Sequence, residues 1–362
     1  MTFTVVGTPG DRRVTLFAAA CTAAGLPPPE VAAWRDVLEG AEPSFRPGTL
    51  LRLDSPGEDA ACDALLRGPG DPTRVGGGAR WHATFTAALH RVASAARRDG
   101  AVPLNDADEI AVMFDKRRCH TRLQAAGVPV PPALDGPVHD YAHLRERLAE
   151  AGWSRVFVKP AHGSSASGVV ALQFSRDRVK AVTSAAPAPG GGYRNSLRVR
   201  AYETEHEVAA LVDALAPDGL HVEKWLPKAA LDGRVLDLRV VVVAGVPTHA
   251  VVRTSRSPMT NLHLGGRRGD LAAVRAVLGE DRWQRALAVC AAAARSFPRS
   301  LMTGVDLLVG IGWRRFAVAE VNAFGDLLPG LPGLPGGPAE GLDTYAAQVR
   351  AALTRSPEAC AS

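Results

Sequence analysis

The chain has 362 residues, 46% of them apolar and 22% charged, enough for two or three ordinary domains with their own cores. Its net charge is 42 − 37 = +5. The basic residues are spread along the whole length, without a run of five or a cluster interleaved with aromatics, which disfavours a sequence-reading nucleic-acid module.

In chain order, "FTVVGTPGDRRVTLFAAACTAAG" (3–25) reads as strand, glycine turn and helix, a parallel α/β opening. Gly7 and Gly10 suit either an anion at the helix start or a tight turn, and the missing G-K-[ST] excludes a P-loop. Residues 41–78 are rich in Pro and Gly, and helical patterns follow at 81–98 and about 106–126. From 153 the texture changes to short apolar strands, "RVFVKP", "GVVALQF", "LRVRAY", "HVEKWL", "RVLDLRVVVVAGV" and "THAVVR". Spacing this short predicts antiparallel sheet with few helices between strands. "AAPAPGGG" (185–192) is expected to be a loop, 270–296 a helix, 304–322 a hairpin and 341–354 a closing helix. Five cysteines (21, 62, 119, 290, 360) form no C-x-x-C, and the opening residues carry no secretory signal. No segment approaches the ~18 uninterrupted apolar residues of a membrane span. The expectation is a cytoplasmic protein without a membrane partner.

Three groups of residues carry chemistry. In the predicted hairpin, Glu320 and Asn322 lie two apart in "VAEVNAFGD" (318–326) and so share one strand face. With the turn near 310–314, Asp306 falls opposite about residue 318 and diagonal to Glu320. Two carboxylates and a carboxamide on rigid strands suit a magnesium ion that also holds phosphate oxygens; a solvated sheet face is the alternative. The second group is "VKPAHGSSASGVV" (158–170), where Lys159 ends a strand before a loop of Gly163, Ser164, Ser165, Ala166, Ser167 and Gly168. Small residues let backbone N–H groups close over an anion. Only five of the 42 basic residues are lysine (116, 159, 180, 224, 228), so a lysine at such a place is informative. The third group is Arg239, Arg253 and Arg256, on or just after neighbouring strands and able to face developing negative charge, with Arg256 the best candidate for a plain surface cation. His162 and His263 fall near these loops as structural or substrate-contact residues rather than bases. Arg52 and Ser55 in "LLRLDSPGED" (50–59) form either a carboxylate-binding corner or a plain turn with an exposed arginine.

Taken in order, these motifs resemble the ATP-grasp superfamily over residues of about 105 to 330. "DKRRCHTRLQAAGVPVPPAL" (115–134) looks like its first lysine helix, with Lys116, and "FVKP" like its second ATP lysine, Lys159. The Gly/Ser loop resembles the flap over the phosphates. "VEKWL" (222–226) resembles the hinge that holds adenine, implying Glu223, Lys224 and Leu226 at the nucleotide. "DLRVVVV" (237–243), "VVRTS" and "TNLHLGG" resemble the ribosomal-protein glutamate ligase and glutathione synthetase branch. That branch implies nucleotide contacts from Asp237 and Asn261, with a pair to Arg239 the alternative for Asp237; Arg239 and Arg253 are the catalytic candidates from their placement. "GVD…AEVN" resembles the metal strands, implying Asp306, Glu320 and Asn322 as magnesium ligands. The chain departs from the branch after "EVN", reading "AFGDLLPG" where "ASPG" is common.

The resemblance implies an α/β and α+β protein of ATP-grasp fold. Residues 1–105 would form an N-terminal α/β domain, with lobes 106–225 and 226–355 clamping ATP. The function it implies is ATP- and magnesium-dependent carboxylate–amine ligation through an acyl-phosphate, with release of ADP and phosphate. The partners are an amino acid, peptide or related small carboxylate and an amine acceptor; a homodimer is compatible. A small-molecule kinase on the same scaffold is the rival, and a basic nucleic-acid-binding protein the remote one.

Overall fold

The expected opening is present in the computed structural model, which describes residues 1–57, 59–163, 166–176 and 178–354. Ser164 and Ser165 of the Gly/Ser loop and Arg355 lie outside the described residues. Strand β1 (Phe3–Gly7) is buried throughout and leads into α1 (Arg12–Ala23), whose N-cap Asp11 accepts the amide hydrogen of Arg13. β2 (Glu30–Ala33), α2 (Trp34–Leu38), β3 (Leu50–Leu53), α3 (Ala60–Arg67), α4 (Gly78–Asp99) and β4 (Val102–Pro103) complete a parallel sheet of order β2-β1-β3-β4. A parallel strand covered on both faces is buried throughout, as β1 and β3 are, and the polar members Thr4 and Arg52 are buried with the rest. Next come α5 (Ala107–Met113) and α6 (Lys116–Ala125), divided where the Asp115 carboxylate caps α6 by accepting from the amides of Arg117 and Arg118.

The second sheet is antiparallel, in the order β8-β7-β6-β5-β9: β5 (Arg155–Pro160), β6 (Val170–Ser175), β7 (Arg178–Pro187), β8 (Tyr193–Tyr202) and β9 (Leu220–Lys224). One face packs on α7 (Tyr141–Glu150) and α8 (Glu205–Leu215) through Leu144, Leu148, Val208, Leu211, Val212 and Leu215. Two expectations need correction here. β7 runs through 185–187, leaving a shorter loop at 188–192, because Ala185 and Ala186 still pair with Asn195 and Arg194. A full helix, α8, also intervenes where few were expected, its apolar residues spaced 3 and 4 apart.

The third sheet contains β10 (Ala230–Leu231), β11 (Arg234–Val243), β12 (Val246–Ser255), β13 (Arg267–Arg268), β14 (Met302–Val309) and β15 (Phe316–Asn322). Its pairings are all antiparallel. The expected 270–296 helix is two, α9 (Leu271–Leu278) and α10 (Glu280–Arg295), because Gly279 at φ +72° cannot continue either. Strand alternation then sorts β11. Leu236, Leu238, Val240 and Val242 join the core containing Trp283, Ala286 and Cys290 of α10, while Asp237 and Arg239 take the opposite face.

Two straps join the sheets. In the segment after α6, the Pro129 carbonyl accepts from the Val318 amide of β15 and the Pro132 carbonyl accepts from the Lys224 amide of β9. The segment before α4 pairs along β8, with Val75 N–H on the Tyr193 carbonyl and Asn195 N–H on the Thr73 carbonyl. Asp218 then accepts from the amides of Gly77, Gly78 and Ala79, satisfying the start of a helix whose own N-cap is a glycine. Helix α11 (Thr344–Thr354) closes back on α1, its Tyr345, Val349 and Ala352 sharing a core with Phe17 and Cys21. Among the described residues no helix is long and apolar enough to cross a membrane.

Arg52 is corrected by this packing. It is 4% exposed, and Asp326 accepts from its Nη2 at 2.7 Å and from Arg13 Nη1 at 2.9 Å, with Gln348 and the Tyr345 ring alongside. The carboxylate in the corner is the chain's own. Ser55 Oγ accepts from the Gly57 amide and closes the turn. Asp326→Ala removes the carboxylate shared by Arg52 and Arg13 and leaves Arg52 with the more distant Asp54 carboxylate, at 3.5 Å, so it should lower unfolding free energy by about 3–5 kcal/mol. A denaturation midpoint equal to wild type would show that this knot contributes nothing.

Candidate active site

The polar face of the third sheet is built from cross-strand neighbours. Asp237 on β11 stands opposite Arg253 on β12, and Arg253 Nε donates to its Oδ1 at 2.8 Å. Arg239, two residues along, stands opposite Asp306 on β14 and donates from Nε and Nη2, the latter at 3.1 Å. Arg253 Nη1 lies 3.2 Å from the same Asp306 carboxylate. Each acid is thus held between cations. Burial by itself would raise Asp306, but Arg239 and Arg253 bring its carboxyl below the ordinary aspartate value. Asp237 is lowered likewise, by Arg253 and Lys228 against burial.

Asp306 also stands directly opposite Glu320, not residue 318 as the simple hairpin register predicts. A bulge between Asp306 and Leu307 leaves Ala319 as the extra residue, since Leu307 pairs Val318. Val318 and Val321 therefore both reach the core, while Glu320 and Asn322 keep the polar face. Glu320 Oε1 is 3.1 Å from Lys116 Nζ, and that ammonium also donates to the Gly163 carbonyl at the head of the Gly/Ser loop. Lys116 is the first residue of α6, so the helix start, the loop and the β15 carboxylate meet at one ammonium.

Lys159 makes the corresponding pair in the second sheet. It stands opposite His221 on β9, and its Nζ lies 2.5 Å from Glu223 Oε1, two residues along the same face. Burial raises Glu223, but the Lys159 ammonium and His221 overcome it and bring the carboxyl down to about 2. Between the two sheets stands Lys228, with Asp237 Oδ2 at 3.3 Å and Thr260 Oγ1 at 3.0 Å. Burial pushes Lys228 down against the pull of Asp237, and the charges of Arg253 and Lys159 push the same way.

The remaining sequence candidates divide. Gly168 is buried at φ +68°, and a Cβ there would meet Val75 Cγ1 at 2.5 Å, so its glycine is required by packing. Ser167 is half-buried in the same loop. Lys224 is exposed, its ammonium over the Trp153 ring, and Leu226 is half-buried beyond it. Asn261 caps the short turn 262–264 through Oδ1, with His263 exposed beside it. Arg256 is exposed without an ion pair among the described residues. His162 is structural in character, with Nε2 3.2 Å from Asp115 and its ring stacked on His82. Sequence reading missed Lys228, Thr260 and His221. Lys228 was one of five scarce lysines, and that scarcity was the available signal.

Magnesium fits the donor set. Asp306, Glu320 and Asn322 present hard oxygens on facing strands, and two carboxylates are the usual complement when phosphate supplies the rest. Among the described residues no group of three or more His, Cys, Asp or Glu is arranged to hold a metal ion, so an all-protein cage is not what this site offers.

No family model and no curated protein matches the chain. Solved structures do. The ATP-grasp ligase PsnB complexed with minimal precursor aligns at 18% identity over 98% of this chain and 99% of that one, with a TM-score of 0.55. D-cycloserine synthetase DcsG aligns at 18% identity over 97% and 99%, with a TM-score of 0.57. The macrocyclase MdnC, bound with precursor peptide MdnA from Microcystis aeruginosa MRC, aligns at 12% over 98% and 99%, with a TM-score of 0.53. The chain therefore has the ATP-grasp fold over nearly its whole length.

One close approach holds the segment after β15 against this site. A Cβ on Gly304 would lie 2.6 Å from Gly325 Cα, and Arg239 Nη1 reaches the Gly325 carbonyl at 3.5 Å. Gly304→Ala should separate the two backbones, tilt Arg239 away from Asp306 and lower the melting temperature by several degrees, as ~1–3 kcal/mol of overpacking does. A melting temperature within one degree of wild type (about the reproducibility of such a scan) would show that the segment yields freely.

Proposed function

We propose that this chain is an ATP-dependent carboxylate–amine ligase. The observation that carries the reading is the cation set Lys116, Lys159, Arg239 and Arg253, each ion-paired to a carboxylate, Lys159 within the second sheet and the others against the polar face of the third, in a chain of ATP-grasp fold. In this state acids of the chain occupy cations suited to phosphate. A nucleotide that brings its own negative charge can take over part of that role, with Lys116 and Lys159 on its phosphates. Backbone groups of 223–226 and the side chains of Asp237 and Asn261 complete its pocket under this reading, while Gly163, Ser167 and Gly168 line the loop over it. Magnesium, held by Asp306, Glu320 and Asn322, would screen the phosphate charges.

The reaction follows from the charges. A substrate carboxylate oxygen attacks the γ-phosphorus, the bond to the β-phosphate oxygen breaks, and ADP leaves. An amine then attacks the acyl carbon and expels inorganic phosphate. Arg239 and Arg253 are placed to meet the charge that develops on the transferring phosphoryl group and on the acyl oxygen, since both stand on fixed strands. We assign residues 106–225 and 226–355 to the two lobes around the nucleotide and 1–105 to a third unit beside them. The carboxylate substrate belongs to the amino-acid and peptide class, in line with the precursor peptide bound by MdnC, the minimal precursor bound by PsnB and the glutathione synthetase-like motifs of 237–266.

A substrate labelled with ¹⁸O in its carboxylate should deliver one label to inorganic phosphate per turnover, with ADP as co-product. A stable phosphorylated product or unlabelled phosphate would establish a kinase or another transfer instead. Lys159→Ala should weaken Mg-ATP binding at least tenfold, on the order of 1.4 kcal/mol, by calorimetry. Unchanged affinity would remove Lys159 from the nucleotide.

A further inference from the structure

Lys159 cannot serve a phosphate without loosening its hold on Glu223, and Glu223 cannot be left alone. Its side chain is 4% exposed, its Oε1 is on Lys159 and its Oε2 has no hydrogen-bond partner. A carboxylate in that position needs a cation or a proton. The next group along the face is His221, whose Nε2 lies 3.4 Å from Glu223 Oε2, within ion-pair range of an oxygen that has no formed hydrogen bond in this state. His221 also stands opposite Lys159 across the β5–β9 ladder, so both neighbours of Glu223 lie on one face of two paired strands.

We propose that His221 is a positioning residue for the nucleotide site: as Lys159 transfers its ammonium to a phosphate, His221 takes a proton from solvent and its imidazolium replaces Lys159 on Glu223. This rests on the ATP reading above. An imidazolium carries hydrogen on both ring nitrogens, so Nε2 becomes a donor to Oε2 whichever neutral tautomer precedes it. The ionic groups facing His221 are few. Glu223 on its own strand favours the charged ring, while Lys159 on β5 and His120 on α6 oppose it. His120 lies with its ring centroid 5.0 Å away, and its Nε2 donates to the Pro131 carbonyl at 2.8 Å. A carbonyl only accepts, so that nitrogen carries hydrogen and Nδ1 is left as the basic site of a neutral ring.

The sign is determined. In the free protein, burial first and Lys159 second hold His221 below the ordinary histidine value, with Glu223 pulling the other way. Withdrawal of the ammonium removes one opposing charge and frees the carboxylate, so the value rises in the complex. Nucleotide binding then takes up protons at any pH between the two values. Within that window affinity falls as pH rises, by up to tenfold per unit.

The test is calorimetric titration of the full chain with a non-hydrolysable Mg-ATP analogue at about pH 7.5, in Tris and in HEPES, whose ionisation heats differ. Wild type should show an apparent binding heat that depends on the buffer, in the direction of net proton uptake. His221→Gln keeps a donor of similar reach but cannot hold a charge, and it should bind with the same heat in both buffers. His120→Gln should retain the uptake. Equal heats for wild type in the two buffers, or undiminished uptake in His221→Gln, overturn the proposal, and the wild-type arm does so even if the variant does not fold. Absence of any binding heat would instead refute the ATP reading.

Discussion

Ionic neutrality on one sheet face is the constraint from which the rest follows. The face of β11, β12, β14 and β15 that carries Arg253, Asp237, Arg239, Asp306 and Glu320 is largely withdrawn from water, and the opposite face is given to Val, Leu and the side of α10. Charges in such a place persist only if each meets its opposite. Antiparallel register provides this by setting Asp237 against Arg253 and Arg239 against Asp306. The cost of breaking any one pair is therefore shared by its neighbours, and the arginines are fixed in position before any ligand arrives. For a reaction whose charge moves from phosphate to acyl oxygen, that preorganisation is what a protein can contribute.

The bulge at Ala319 and the capped start of α6 convert this static ladder into a meeting point. Without the extra residue, the alternation that buries Val318 would also bury Glu320, and Lys116 would face an apolar strand. With it, Glu320 reaches across to an ammonium that also holds Gly163. The strap from Pro129 to Pro132 ties the same two sheets through backbone hydrogen bonds only a few residues from α6. The chain between β9 and β10 makes a second connection, with the Ala229 amide on the Val309 carbonyl and the Ile311 amide on the Pro227 carbonyl.

Much of this was legible in the residues. The short apolar runs after 153, the two-residue spacing of Glu320 and Asn322, the Gly/Ser loop after a strand-ending lysine and the order of motifs led to the sheet, the loop and the ligand candidates. What failed did so for physical reasons. A one-residue bulge leaves no compositional mark and the turn sits one residue off the simple register, so Asp306 was misplaced by two. Helix α8 has helical spacing in "EHEVAALVDAL", but its alanines and valines blend with the strands around it. Arg52 reads as a turn arginine because its partner Asp326 is 274 residues away. Lys228 and His221 acquire meaning only from strands that bring Asp237 and Lys159 to them, contacts that no local pattern encodes.

The docking of α11 on α1 has a consequence for how the chain is made. Phe17 and Cys21 of α1 complete their core with Tyr345, Val349 and Ala352, and Arg13 and Arg52 find Asp326 only when that end of the chain is present. At ribosomal rates the intervening stretch of roughly 320 residues takes on the order of 15–60 s to emerge. Through that interval the first parallel sheet has an uncovered apolar side and two arginines without their shared carboxylate. Vectorial synthesis therefore leaves the first unit made among the last to be finished, and a chain interrupted before α11 exposes a surface that holdase chaperones and proteases recognise.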